Sequence, residues 1–137
     1  MWALRSLMRR KEGKMKYILN YSHPLTDIAK KQIEQRVGQI AEVIVPCQLD
    51  LAVPLKPQMD SLIQKGQSLL AEVKCVSEYD SWPDYIVPPA LAVASAYIAH
   101  YFLSGDGAKD STIASLIVLY KPEGAGKSFE LSGIVSV

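Results

Sequence analysis

The segment NYSHPLT, residues 20–26, gathers polar side chains where a strand-like run ends and a helical pattern begins. An amide, hydroxyls and an imidazole can all donate hydrogen bonds to a ligand. The same residue types also favour helix entry, because their side chains accept hydrogen bonds from the first turn. The segment therefore predicts either a ligand-contacting loop, with Asn20, Ser22, His23 and Thr26 as candidate binding residues, or a plain helix entry.

His23 is also the candidate for acid–base chemistry, because histidine side chains commonly titrate close to neutral pH. His100 lies in an apolar helical stretch without a titratable neighbour in sequence, and we expect a structural role for it. No acidic residue is paired with a histidine at helical spacing, so no metal site is predicted. The segment PEGAGKS, residues 122–128, resembles a phosphate-binding P-loop. However, the residue before it is Lys121, where a P-loop needs glycine, and the element after it is a strand instead of a helix. These two departures favour a hairpin turn.

Hydrophobic periodicity predicts the elements that must position these residues. We expect strands at 16–21, 41–46, 84–89, 112–120 and 128–137, helices at 25–37, 58–70 and 90–103, and loops at 51–57 and 104–111. The segment 73–83 fits either a short strand or an irregular link. This alternation predicts a Rossmann-like, three-layer α/β/α fold with a mostly parallel sheet and an antiparallel C-terminal edge strand.

Local signals refine these elements. Thr26 is expected to cap the first helix and Gly38 to end it. The helix at 90–103 is apolar nearly all round, which is typical of a helix in the core or at a subunit interface. The second helix is expected to bury one face, made of Met59, Leu62, Ile63, Gly66 and Leu70. The last strand is expected to place on one face Phe129, Leu131, Val135 and Val137.

Ligands of such sheets bind outside the carboxyl ends of the strands. The segments at 20–26 and 87–92 both fall at such ends and both lead into helix N-termini, which attract anions.

Charge separates the first 14 residues from the rest. They carry five Lys and Arg against Glu12, a net of +4, which leaves −3 on residues 15–137 of the total of +1. We interpret residues 1–14 as a disordered basic extension or a mis-assigned start before Met15, with a basic membrane anchor as the alternative. Residues 15–137 are expected to form a single domain. Since Arg36 is their one arginine, they lack the cation cluster that binds long nucleic acid.

Cys47 and Cys75 are far apart and in no metal or redox spacing. We expect reduced thiols in a cytoplasmic protein.

Four stretches of the sequence are YILNYSHPLT from Tyr17, PCQLD from Pro46, DYIVPPALAVASAYIAHYF from Asp84, and FELSGIVSV from Phe129. These stretches, and their order along the chain, resemble the Csx-fifteen family of small CRISPR-associated ancillary proteins. The Ser-His-x-Leu-Thr element is also similar to one in the Csx-twenty group. The resemblance spans residues 15–137, apart from the segment 73–83. It implies a CARF-related fold and a role in type III CRISPR defence, handling the second messenger cyclic tetra-adenylate.

Three functions remain open from the sequence. The first is a protein that binds cyclic tetra-adenylate and lowers its free level, with Pro88, Pro89, Ala90 and Leu91 shaping the adenine contact. The ligand is a near-symmetric ring of four phosphates, which suits a site with two-fold symmetry. A homodimer or a higher homo-oligomer is therefore expected. The second is a metal-independent ring nuclease with His23 as general base. The third is an unrelated nucleotide-binding or interaction module. No cofactor, long nucleic acid or membrane is expected as a partner.

Overall fold

A computed structural model describes residues 15–77, 81–104, 114–124, 126 and 128–136. In this part of the chain five strands and three helices follow one another in α/β order. They are β1 (Lys16–Asn20), α1 (Asp27–Val37), β2 (Ile40–Ile44), α2 (Leu55–Lys74), β3 (Tyr85–Val87), α3 (Ala92–Ser104), β4 (Ser115–Tyr120) and β5 (Glu130–Val135). The expectations for residues 1–14, most of the 104–111 loop and part of the hairpin turn fall outside the described residues.

The strands form one sheet in the order β2-β1-β3-β4-β5. β1 pairs in parallel with β2 and with β3, β3 pairs in parallel with β4, and β5 is antiparallel to β4. The predicted Rossmann-like α/β class is therefore confirmed, including the antiparallel C-terminal edge.

The helices lie on both faces of the sheet, and because successive strand residues point to opposite sides, neighbouring residues of β1 pack in different cores. Leu19 of β1 belongs to a core cluster with Leu62 and Leu70 of α2 and with Phe102 of α3. Its neighbour Ile18 packs in a second cluster on the other face. That second cluster takes its helical residues, Ala29 and Ile33, from α1.

The local signals at α1 behave as predicted. The Thr26 hydroxyl oxygen accepts a hydrogen bond from the Ala29 N–H at 3.1 Å, and Gly38 ends the helix with a φ of 92°. The helix begins at Asp27 rather than Leu25, because Thr26 has the extended backbone of a capping residue.

α2 is longer than predicted at both ends. It starts at Leu55, inside the expected 51–57 loop, because Pro57 falls in the first turn, where a helix needs no N–H donor. It continues to Lys74 and ends at Cys75, which adopts the left-handed conformation. Cys75 and Val76 therefore belong to a helix end rather than a strand. The predicted buried face of α2 is confirmed.

α3 starts at Ala92, two residues later than predicted, so Ala90 and Leu91 stay in the preceding turn. Ala94, Ile98 and Phe102 are buried, while Val93 is half exposed.

The last strand departs from simple alternation. Leu119 pairs with Leu131 whereas Val118 pairs with Gly133, so Ser132 is an extra residue that forms a β-bulge. Leu131 and Ile134 both pack on the α1 side, while Val135 is exposed. The predicted common face of Leu131 and Val135 was wrong, because the bulge resets the alternation between them. Val137 lies outside the described residues.

Candidate functional site

The strand order creates a crevice between the carboxyl ends of β1 and β3. After β1 the chain crosses outward to β2, and after β3 it crosses in the opposite direction to β4. The two connections diverge, and ligands of open α/β sheets bind at this switch of direction. The Tyr21 N–H continues the pairing for one residue by bonding the Val87 carbonyl oxygen at 2.9 Å. β1 and β3 therefore stay paired up to that bond, and their connections diverge beyond it.

Two pockets occupy this edge of the sheet. The first, which we name the β2-side pocket, has a volume of about 400 Å³ and lies between the ends of β2 and β3. Its walls combine residues 44–47, Leu49 and Leu51 with the predicted Pro89, Ala90 and Leu91. Ile44, Leu51 and Leu91 keep 43%, 70% and 38% of their surface exposed, so apolar side chains line its mouth.

The second, the β4-side pocket, has a volume of about 450 Å³. β4 runs past β3, which pairs with it only through Tyr85 and Ile86. Residues 116–119 of β4 form one wall, and Phe129, before β5, forms another. Pro88 and Thr26 complete this pocket.

Ser22 and His23 line both pockets, and we name this pair the ridge. His23 is exposed and Ser22 is half-buried. The predicted site residues are thus brought to one edge of the sheet. Ser22, His23, Pro89, Ala90 and Leu91 line one pocket, and Ser22, His23, Thr26 and Pro88 line the other.

Asn20 is the exception among the predicted residues, because it is fully buried beneath the ridge. Its side-chain nitrogen donates to the His23 carbonyl oxygen at 2.8 Å and to the Glu42 carboxylate at 2.6 Å. Its side-chain oxygen accepts from the Ser22 N–H at 2.8 Å. Instead of contacting a ligand, Asn20 holds the backbone of the ridge in place.

Glu42 is a site-supporting residue that the sequence analysis missed. It lies on β2, with its side chain only 9% exposed. One carboxylate oxygen accepts from Asn20 and from the Leu25 N–H at 2.8 Å, and the other lies 3.7 Å from the Lys30 ammonium. These bonds tie the loop after β1 to the neighbouring strand. An acidic residue inside a strand was the available signal, since such a residue is rarely buried without partners.

Thr26 has a mainly structural position. Besides capping α1, its hydroxyl donates to the Phe129 carbonyl oxygen at 2.7 Å. Gln32 makes a second connection to the last strand, because its amide oxygen accepts from the Leu131 N–H at 2.7 Å. Phe129 is thereby fixed beside the start of α1, although 103 residues separate it from Thr26.

The described lining of both pockets contains no aspartate or glutamate. An anionic group on the ridge would therefore meet no acidic wall there. Burial raises the pKa of the thiol of Cys47, which lines the β2-side pocket, because desolvation disfavours the thiolate. Burial likewise raises the pKa of Tyr21, whose hydroxyl donates to the Leu62 carbonyl oxygen at 3.0 Å.

Within the described ranges, no three histidine, cysteine or acidic residues are grouped as metal ligands. No helix of the described part is long and apolar enough to cross a bilayer.

The fold and the crevice define a Rossmann-like α/β protein with a ligand-sized site at the carboxyl edge of its sheet. Comparison of the chain with family profiles, with curated proteins and with solved structures gave no match.

Proposed function

We propose that this protein binds cyclic tetra-adenylate and lowers its free concentration by sequestration, which damps a type III CRISPR response in the cytoplasm. The observation that carries the proposal is the crevice between β1 and β3, where a polar ridge stands between two pockets with largely apolar walls. The resemblance of residues 15–137 to the Csx-fifteen family supports the identity of the ligand.

The ridge suits the sugar–phosphate part of such a ligand. The Ser22 hydroxyl and the His23 imidazole can donate hydrogen bonds to phosphate or ribose oxygens. Pro89, Ala90 and Leu91 provide apolar surface for an adenine ring. Asn20 acts from below by fixing the ridge backbone.

A homodimer completes the proposed site. The ring has four equivalent phosphates, and a two-fold axis through a dimer would present the same ridge to opposite sides of it. Higher homo-oligomers built from such dimers fit the same symmetry.

Cleavage of the ring is the second candidate function, and the exposed His23 side chain favours it. The ribose 2′-oxygen would attack the adjacent phosphorus as the P–O5′ bond breaks, giving a 2′,3′-cyclic phosphate. His23 would accept the 2′-hydroxyl proton, and the leaving 5′-oxygen would take a proton from solvent water. In the described residues, however, no hydrogen bond between a carboxylate and the His23 ring is found, and Glu42 is already bonded to Asn20 and Leu25. We therefore favour binding over cleavage.

Calorimetry with purified protein tests the proposal. We expect saturable binding of cyclic tetra-adenylate at micromolar or lower concentration, with cyclic tri- and hexa-adenylate as ring-size controls. Radiolabelled ring incubated under single-turnover conditions and then chromatographed separates sequestration from cleavage. Absence of binding to every ring would reject both functions and leave an unrelated nucleotide-binding or interaction module.

A type III cassette beside the gene is expected if the CRISPR assignment is right.

A further inference from the structure

The two pockets adjoin at the ridge, because Ser22 and His23 line both of them. Two consecutive prolines contact different pockets: Pro88 lines the β4-side pocket and Pro89 lines the β2-side pocket. A ligand that crosses the ridge can therefore place one group in each pocket. Both volumes fall within the roughly 300–1,000 Å³ typical of small-molecule sites.

Phe129 gives the β4-side pocket an aromatic wall. Its surface is 46% exposed, so its ring is available to a ligand. Its carbonyl oxygen accepts a hydrogen bond from the Thr26 hydroxyl at 2.7 Å. Two residues further along the chain, the Leu131 N–H donates a hydrogen bond to the Gln32 side-chain oxygen. The backbone that carries the ring is thus anchored to α1, and little order has to be gained when a flat group stacks on it.

We infer that each chain takes a dinucleotide unit, with one base in each pocket and the sugar–phosphate linkage across Ser22 and His23. Phe129 is the stacking residue for the second base. The inference rests on the proposed function for the identity of the bases as adenine. It extends that function by assigning the β4-side pocket and Phe129, and by fixing how much of the ligand one chain holds.

The lining supports a short unit rather than a long strand. No lysine or arginine lines either pocket within the described residues, whereas proteins that follow a nucleic acid backbone use a track of such cations. Two apolar pockets and one polar crossing match two bases and one linkage.

Calorimetry with linear diadenylate (ApA) and with AMP tests simultaneous occupancy. In the unmodified protein we expect ApA to bind at least tenfold tighter than AMP, because only ApA can fill both pockets. Phe129→Ala should weaken the binding of ApA and of cyclic tetra-adenylate about tenfold. This change lies within the range measured for the loss of one base–aromatic stack. AMP can use the β2-side pocket, so its affinity should change by less than threefold.

Two further variants make the result specific. Phe129→Tyr keeps a stacking ring and should restore the ApA affinity to within threefold. Val135→Ala removes an apolar side chain of similar exposure, at 49%, outside both pockets, and should leave all affinities unchanged. Thermal unfolding of each variant checks that the fold is retained.

The outcomes separate this inference from the proposed function. Equal affinities for ApA and AMP, or an ApA-to-AMP ratio that Phe129→Ala does not reduce, would overturn the two-pocket inference even if cyclic tetra-adenylate binds. A ratio that falls as expected, with no binding of the ring, would support the two pockets and reject the proposed function. No binding of any of the three compounds would overturn both.

Discussion

His23 stands exposed on the ridge, so its replacement tests ligand contact without disturbing the core. We expect His23→Ala to change the free energy of unfolding by less than about 0.5 kcal/mol, as for most surface substitutions. Loss of a hydrogen bond to a charged phosphate should weaken binding of cyclic tetra-adenylate by roughly 1.5–3 kcal/mol. Calorimetry and thermal unfolding measure the two effects.

His100→Ala is the matched control, since His100 is exposed on α3 and lines neither pocket. Intact binding together with a cleavage rate reduced about a hundredfold would instead identify His23 as a general base. A large fall in melting temperature without a specific loss of function would return it to a purely structural role.

Glu42 acts on the same loop from the neighbouring strand. Glu42→Ala would remove one of the two acceptors of the Asn20 amide and the acceptor of the Leu25 N–H, and we expect a loss of roughly 1–3 kcal/mol in the free energy of unfolding. Glu42→Gln keeps an acceptor oxygen and should lose less. Urea denaturation measures both variants against Glu34→Ala, an exposed acidic position on α1. Equal stability of Glu42→Ala and the control would show that this network does not hold the loop.

At the scale of elements, α2 packs unusually close to β1 at one residue. A Cβ at Gly66 would overlap the Tyr21 hydroxyl oxygen and come within 3.3 Å of a Leu19 methyl carbon. Gly66→Ala should therefore destabilise the protein by roughly 1–3 kcal/mol through overpacking, despite the better helix propensity of alanine. Denaturant unfolding measures this loss, with Gln64→Ala as the control at an exposed position of the same helix.

Tyr21→Phe removes the overlapping oxygen, so the double variant with Gly66→Ala should be more stable than the sum of the single effects. Strict additivity would mean that the hydroxyl is not the obstacle.

α2 and α3 are also connected at the surface, where the Tyr97 hydroxyl donates to the Asp60 carboxylate and Lys56 pairs with it at 3.0 Å. The hydrogen bond from Tyr97, followed by that from Lys56, lowers the pKa of Asp60. A lowered pKa in the folded state adds stability above the ordinary value, of about 3.9, and that stability is lost as the pH falls through the folded pKa.

Tyr97→Phe should raise the pKa of Asp60 towards the ordinary value. Carbon-detected NMR titration of the carboxyl group measures it. An unchanged pKa in this variant would contradict the assigned cause.

At the scale of the whole molecule, the proposed dimer predicts a stoichiometry. Calorimetric titration should end at one cyclic tetra-adenylate for two chains, and sedimentation should show a particle of at least twice the chain mass. The His23→Ala variant should sediment as the same oligomer, because the substituted side chain lies in the ligand site. A one-to-one titration with a monomeric complex would contradict the shared site.

The order of the elements and the two caps of α1 could be predicted because they depend on local signals. Thr26 and Gly38 cap α1 through neighbours within four residues. The spacing of apolar residues identifies the buried face of α2 without knowledge of what covers it. Parallel strands have their carboxyl ends at the same edge of a sheet. The predicted order of the elements was therefore enough to predict that Ser22, His23 and the Pro88–Leu91 segment lie at that edge.

The sequence by itself therefore determined the α/β class, the caps of α1 and the edge of the sheet at which the candidate site lies. Only the tertiary structure decided that Asn20 is buried under the ridge, that Glu42 supports it, and that Phe129 lies beside Thr26. It also revealed the bulge at Ser132, which turns Val135 outward. The physical reason is range: caps and periodicity arise between residues a few positions apart, whereas these contacts join strands and helices separated by tens of residues and depend on strand order and register.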